Sequence, residues 1–266
     1  MAYLDVEGTR RMYFEHHPGP GRPVVLVHGW GVTARCWDTV APALRAAGHA
    51  VVLVDLRCCG RSDKDFADVS ISALGADVAR LCEELGLDHP VVNGWSLGGA
   101  VALDAVARLG SAAGGLVLTG GATPRYTSAP DWPHGGTSDD VEGVLSAAAT
   151  DRASTFRVVA SAVCAVPVSS DVVDWMWTMF MEMGPRGDDS IRDLAGIDQR
   201  PLLGGIDVPV LLLHGRHDTF VSFDGAEAAV PLYPDARLVE FPDSGHAPFL
   251  EEPERYLAEL TGFLKQ

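Results

Sequence analysis

"VVNGWSLGGAVALDAVARLG", residues 91–110, passes from a β-branched run to a helical pattern with almost no loop. The valines stop at Asn93, a lone serine stands at 96 between Gly94 and Gly98, and Leu97 already begins an apolar stretch spaced for a helix. A strand that becomes a helix within three residues must bend sharply. Side chains at the neighbouring positions would collide where strand and helix nearly touch, which calls for the glycines at 94, 98 and 99. Gly94-Trp95-Ser96-Leu97-Gly98 thus fits G-x-S-x-G, a nucleophile elbow. Its serine hydroxyl stands above the carboxyl edge of a sheet, and the helix from Leu97 aims free N–H groups and a positive dipole end at it.

Further β-branched runs end in turn residues at 23–29, 49–56, 89–95, 114–121, 208–215 and 236–245. Helical patterns lie at about 37–47, 70–86, 97–109, 222–231 and 253–264. This alternation predicts an α/β fold with a mostly parallel sheet flanked by helices on both faces. Two pieces near 3–7 and 10–16 read as an antiparallel hairpin at one edge. Between 122 and 204 the rhythm breaks. Helical patterns at about 138–149, 152–165, 170–183 and 188–195 carry tryptophans and methionines instead of strand signals. An insertion of this kind before the last two strands predicts a helical cap, or lid, over an active site. The expected organisation is a core of 1–121 and 205–266 with a cap at 122–204.

Composition narrows the function. The chain has 266 residues, 47% of them hydrophobic and 21% charged, enough to bury a sizeable core. No long uncharged apolar run predicts a membrane span, and the first residues show no signal-peptide pattern. Five cysteines, an odd number without framework spacing, fit reduced thiols in a cytoplasmic protein. Cys58 and Cys59 are adjacent but lack a CxxC pattern or a histidine cluster. With no metal-ligand spacing and no dinucleotide fingerprint, neither metal nor cofactor is expected. The net charge of −16 argues against nucleic acid and anionic membrane as partners.

A serine hydroxyl needs a general base and a group to orient that base. The chain supplies them in the order serine, acid, histidine. "LLLHGRHDTFVS" (211–222) ends a strand and puts Asp218 in the following loop, and "FPDSGHAPFLEEPERY" (241–256) puts His246 before the terminal helix. Asp243, three residues from His246, is the rival acid. Among the other histidines, His214 reads as structural and His217 as pointing away. His16, His17, His49, His89 and His134 read as solvated. "VVLVHGWGVTARCWD" (24–38) offers the oxyanion hole: the backbone N–H groups of Trp30 and Leu97 are the expected donors, with His28 buttressing the loop.

These features together resemble the α/β-hydrolase-fold serine hydrolases over essentially the whole chain: "HGWG", "DLRCCGRSD" (55–63), "GWSLGG" (94–99), "HGRHD" (214–218) and "SGHAPFLEEPE" (244–254). "HGWG", "GWSLGG", "GHAPF" and "PRYTSAPDWP" are similar to the pimeloyl-ACP methyl ester carboxylesterases, and non-haem haloperoxidase-like and lactonase-like members share much of the pattern. Cys58 stands where many relatives have glycine. The resemblance implies a serine-dependent carboxylic ester hydrolase working through an acyl-enzyme. Perhydrolysis, acyl transfer, C–C cleavage and secondary-metabolite cyclisation would use the same triad. A non-catalytic receptor would have no need of it. Haloalkane dehalogenases and epoxide hydrolases use an aspartate at the elbow, where this chain has Ser96.

Charge bears on the substrate. Residues 122–204 hold six arginines, no lysine and twelve Asp or Glu, so six of the sixteen net negative charges fall in the cap. An acidic cap disfavours an acidic acyl carrier protein as partner, although Arg125, Arg152 and Arg157 could form a local basic cluster. A small, fairly apolar ester, thioester or lactone is the expected substrate. Trp30, Trp132, Trp177 and Phe249 are the expected pocket walls.

Overall fold

Valines, leucines and alanines that read as buried strands form one eight-stranded sheet in the computed structural model, which describes residues 2–265. The strands are β1 (Ala2–Glu7), β2 (Arg10–His17), β3 (Gly21–Val27), β4 (His49–Asp55), β5 (Val91–Trp95), β6 (Gly115–Thr119), β7 (Val210–Gly215) and β8 (Ala236–Phe241). Their order is β1-β2-β4-β3-β5-β6-β7-β8. The hairpin β1–β2 and its pairing with β4 are antiparallel, and β4 to β8 run parallel.

The helices are α1 (Ala41–Ala46), α2 (Ile71–Glu84), α3 (Leu97–Leu109), α4 (Ser138–Thr150), α5 (Arg152–Ala162), α6 (Ser170–Met181), α7 (Asp188–Gly196), α8 (Arg200–Leu203), α9 (Phe223–Ala229), α10 (Pro248–Glu251) and α11 (Pro253–Phe263). Alternate strand residues face opposite layers. Val25 and Val27 join Leu74 and Val78 of α2, whereas Val24 and Leu26 join Leu44 of α1 and Leu260 of α11. Burial on both faces is why these strands read as continuous apolar runs.

Two boundaries and the placement of one histidine differ notably from the sequence reading. The first helix begins at Ala41, after a separate 3₁₀ turn over Ala34–Trp37, because Pro42 suits a first helical turn. The last strand ends at Phe241, before Pro242. His49, expected in solvent, is buried, and its Nδ1 lies 3.0 Å from the Arg22 carbonyl oxygen.

Helices α4 to α8 lie between β6 and β7, where the insertion was expected. Local chemistry starts them. Thr137 and Asp140 form a reciprocal capping box on α4, and Asp151 and Ser169 cap α5 and α6.

The elbow explains its glycines atom by atom. Ser96 has φ 57°, a left-handed conformation for a residue with a side chain, a strain of about 1–3 kcal/mol. A Cβ on Gly94 would sit 2.0 Å from the Gly98 carbonyl oxygen. One on Gly98 would sit 2.5 Å from the carbonyl oxygens of Val27 and His28, and one on Gly99 2.6 Å from the Cα of Gly121. The ends of β3, β5 and β6 therefore meet the first turn of α3 as bare backbone. Beneath them, the break at Asn93 has its reason: its amide donates to the Tyr256 hydroxyl (2.9 Å) and accepts from Thr119 (2.9 Å), tying α11 under the elbow.

Adding a methyl group at Gly98 should cost about 2 kcal/mol or more, because backbone on the far side cannot yield. Gly143, in α4 with open space around it, should accept alanine with a gain of about 0.5–1 kcal/mol. Urea midpoints of Gly98→Ala and Gly143→Ala should move in opposite directions.

Candidate active site

Ser96 ends β5 half-buried and lines a cavity of about 310 Å³ together with His246. His246 sits in the loop after β8, its ring between Trp95 (centroids 5.4 Å apart) and Phe220 (5.1 Å). Trp95 also donates from Nε1 to the His246 carbonyl oxygen at 2.8 Å. The residue beside the serine thus holds the histidine loop, a contact that sequence reasoning missed.

The loop after β7 brings Asp218 to His246. Asp218 Oδ2 lies 2.7 Å from His246 Nδ1, and Oδ1 accepts from the N–H groups of Phe220 (2.8 Å) and Val221 (2.9 Å). His214 Nε2 donates to the Val221 carbonyl oxygen (3.0 Å) and stands 3.3 Å from Asp218 Oδ2. The carboxylate is sealed from solvent. Burial alone would push its pKa up. The two histidines and their hydrogen bonds outweigh burial and hold it far below the usual carboxylate range. Asp243 lies on the surface, its N–H directed to Glu252.

The turn after β3 closes against Ser96. A Cβ on Gly29 would be 3.1 Å from the Ser96 Cβ. His28 is fully buried. Its Nδ1 donates to the Gly29 carbonyl oxygen (2.7 Å) and its Nε2 accepts from Leu56 N–H (2.9 Å), which fixes the tautomer and the tilt of the Gly29–Trp30 peptide. Burial lowers the His28 pKa, keeping the ring neutral for this pairing. Leu97, the first residue of α3, has an N–H with no acceptor inside its helix. Both expected oxyanion donors therefore belong to segments packed around Ser96.

The cavity walls come largely from the inserted helices: Val141 and Val144 of α4, Val159 of α5, Phe180 of α6, and Ile191 and Leu194 of α7. Of the four expected wall residues, Trp30 lines the cavity. Its ring stands edge-on to Phe156 (5.5 Å) and Phe180 (6.3 Å). Trp132, Trp177 and Phe249 lie outside the lining, which corrects that expectation. Trp132 is buried where its Nε1 donates to the Arg125 carbonyl oxygen, and Trp177 turns towards α5 to donate to Ala153. Phe249 is wedged between Trp37 and Trp95 in the core. Polar liners that composition did not reveal are Tyr126, Thr137, Asp140 and Thr219. Cys58 lines no part of it. Its φ of 66° is a left-handed conformation that glycine would adopt more easily, and burial pushes its thiol pKa up.

One carboxylate joins the histidine loop to the inserted helices. Glu251 accepts from the N–H groups of Ala165 (2.6 Å) and Val166 (3.2 Å) through Oε1, and from Gly245 (2.9 Å) through Oε2. His246 N–H donates to the Val163 carbonyl oxygen at 2.9 Å.

The model of the alpha/beta hydrolase fold family matches residues 22–253. The chain belongs to the α/β-hydrolase family. It is a hydrolase, which the esterases among its relatives support. It is 32% identical to a pimeloyl-[acyl-carrier protein] methyl ester esterase of Aromatoleum aromaticum over 87% of this chain and 93% of that one. It is 28% identical to a non-heme haloperoxidase of Rhodococcus erythropolis over 97% of both. The structure of an esterase from Exiguobacterium antarcticum superposes with a TM-score of 0.95 at 27% identity, covering 99% of each chain. Among the described residues, no helix is long and apolar enough to cross a membrane.

The depressed Asp218 pKa has a sign. Its stabilising effect is complete above the ordinary carboxylate range, about pH 4, and is lost as pH falls towards the folded-state value. The urea-stability gap between wild type and Asp218→Asn should be level above about pH 5 and shrink below about pH 4.

Proposed function

We propose that the protein is a serine hydrolase that cleaves a small, largely apolar carboxylic ester, thioester or lactone. Ser96 is the nucleophile and His246 the general base, and Asp218 orients His246. The observation that carries this reading is the 2.7 Å contact from His246 Nδ1 to a sealed, ionised Asp218, with His246 and Ser96 facing one cavity. Because Asp218 accepts at Nδ1, the neutral ring keeps its proton there and presents Nε2 as the base.

In the first half-reaction Ser96 Oγ attacks the carbonyl carbon and passes its proton to His246. The tetrahedral oxyanion takes hydrogen bonds from the N–H groups of Trp30 and Leu97. His246 then protonates the leaving alkoxide or thiolate, and an acyl-Ser96 remains. Water, deprotonated by His246, attacks that ester, and Ser96 leaves with the proton.

The names of the relatives suggest two substrate classes. An acyl-carrier ester fits this chain poorly. Arg125, Arg152 and Arg157, the candidate basic cluster, are each paired with an acid of the same segment: Asp198 (3.4 Å), Asp188 (3.8 Å) and Asp174 (2.5 Å). A free ester of small size suits the cavity of about 310 Å³. The five cysteines are free thiols, which supports placing the protein in a reducing compartment such as the cytoplasm.

Ser96→Ala or His246→Ala should lower hydrolysis of an aryl ester by several orders of magnitude without unfolding the chain, and the double variant should be little worse than either. Asp218→Asn should lose about 10⁴-fold, whereas Asp243→Asn should stay close to wild type. Turnover of Ser96→Ala near the wild-type rate would refute the reading.

The cavity walls predict specificity. Phe180→Ala should shift the kcat/KM ratio between long and short acyl esters by about tenfold, while Trp177→Ala should scale the profile without reshaping it. A chain-length panel of p-nitrophenyl esters reads both.

A further inference from the structure

We propose that Glu251 is the positioning residue of His246: it aligns the imidazole with Ser96 by tying the histidine loop to the segment that follows α5. This rests on the hydrolase reading above, in which His246 is the base.

Glu251 is presented from a fixed platform. It ends α10, a single turn whose Phe249 is buried between Trp37 (ring centroids 4.9 Å apart) and Trp95 (5.2 Å). Its own N–H donates to the Ala247 carbonyl oxygen at 3.1 Å, so the residue folds back over the start of its turn. The half-buried carboxylate then meets peptide donors from two distant parts of the chain. Oε2 accepts from Gly245 N–H, and the Ala247 N–H, on the other side of His246, also favours the charge. Oε1 takes the N–H groups of Ala165 and Val166, beyond the end of α5.

That segment also supplies the Val163 carbonyl oxygen, which accepts from His246 N–H at 2.9 Å. From the core, Trp95 reaches the His246 carbonyl oxygen. The N–H groups before, at and after His246 are left to Glu251 and to a segment that Glu251 itself holds. Gly245 lets the two segments touch: a Cβ there would stand 2.7 Å from the Ala165 nitrogen and 3.2 Å from the Ala165 Cβ. Asp218 fixes the imidazole through Nδ1, but a ring moves with its backbone. A misplacement on the order of 1 Å between catalytic groups can cost about 10²-fold in rate.

Glu252 provides the contrast. It braces the same turn, accepting from the Ser244 hydroxyl (2.7 Å) and Asp243 N–H (3.3 Å). Among the described residues it bonds to nothing in the inserted helices.

His246 moves a proton in both half-reactions. Displacing it slows acylation and deacylation together, so kcat falls while KM changes little. Glu251→Gln has one acceptor oxygen in place of two and must release either Gly245 or the Ala165–Val166 pair. With p-nitrophenyl butyrate, well below the thermal melt, its kcat should fall about tenfold or more. Its KM should stay within about threefold of wild type. Gly245→Ala parts the same two segments without touching the carboxylate, at a backbone that does not need the left-handed range. It should show the same split, and the double variant should be little worse than either, because one break already frees the loop. Glu252→Gln should stay close to wild type. Amide hydrogen exchange in the Ser96→Ala protein gives a readout independent of turnover: adding Glu251→Gln should speed exchange at residues 245–247 and leave β5 and β7 unchanged.

Wild-type kcat in folded Glu251→Gln, a loss confined to KM, an equal loss in Glu252→Gln, fully multiplicative losses in the double variant, or unchanged exchange at 245–247 each overturns the proposal. Were Glu251→Gln unfolded, Gly245→Ala would decide by the same kcat and KM criteria. Absence of turnover in the wild type would count against the hydrolase reading alone, and exchange would still decide whether Glu251 holds the histidine loop.

Discussion

Backbone lies directly on backbone at Gly98, and the site depends on that contact. With carbonyl oxygens of Val27 and His28 only 2.5 Å from where a Cβ would stand, the first turn of α3 descends onto the carboxyl end of β3. β3 and β5 are neighbours in the sheet although more than sixty residues separate them in the chain. Their adjacency sets the Gly29–Trp30 peptide beside Ser96. The strained serine is held from both sides, its N–H donating to Thr119 and its carbonyl oxygen accepting from Gly99 and Ala122. Strain of this kind persists only where surrounding structure over-determines it.

Around Asp218 the same economy appears in electrostatic form. A buried carboxylate is tolerable when every lone pair has a donor. Two backbone N–H groups and the His246 imidazole supply them, with His214 alongside, so the charge is fixed without a lysine or arginine. His214, which the sequence marks as structural, stands 3.3 Å from the carboxylate and braces the loop by donating to the Val221 carbonyl oxygen. Asp218 is thereby stiff in position and held in its ionised form.

Much of this was legible in the chain. The glycine spacing around Ser96 announces the elbow, and the alternation of β-branched runs with helical patterns announces the parallel sheet. Asp218 and His246 follow from their places after the last two strands, and the structure brings them within hydrogen-bonding distance. The pocket wall was less legible because aromatic character says nothing about direction. Trp177 and Phe180 lie one turn apart on α6. An indole N–H bond to Ala153 draws the first towards α5, while the second packs over Gly31, whose missing side chain leaves room for its ring. Phe249, three residues beyond His246 in sequence, fills core space between Trp37 and Trp95. The polar liners did leave a signal: Thr137 and Asp140 stand at capping-box spacing, which fixes where α4 begins and thus where Asp140 points.

The clamp formed by Glu251 has a mechanical meaning. Its carboxylate grips the end of the inserted helices and the peptide before His246 at once, and Val163 holds the histidine's own N–H. His246 therefore belongs to the roof as much as to the floor. A roof that shifts to admit a bulkier guest carries the imidazole with it, so changes far out in the helices arrive at the serine as altered alignment. The shape of the cavity and the alignment of the imidazole are thereby geared together, through that carboxylate and through Val163.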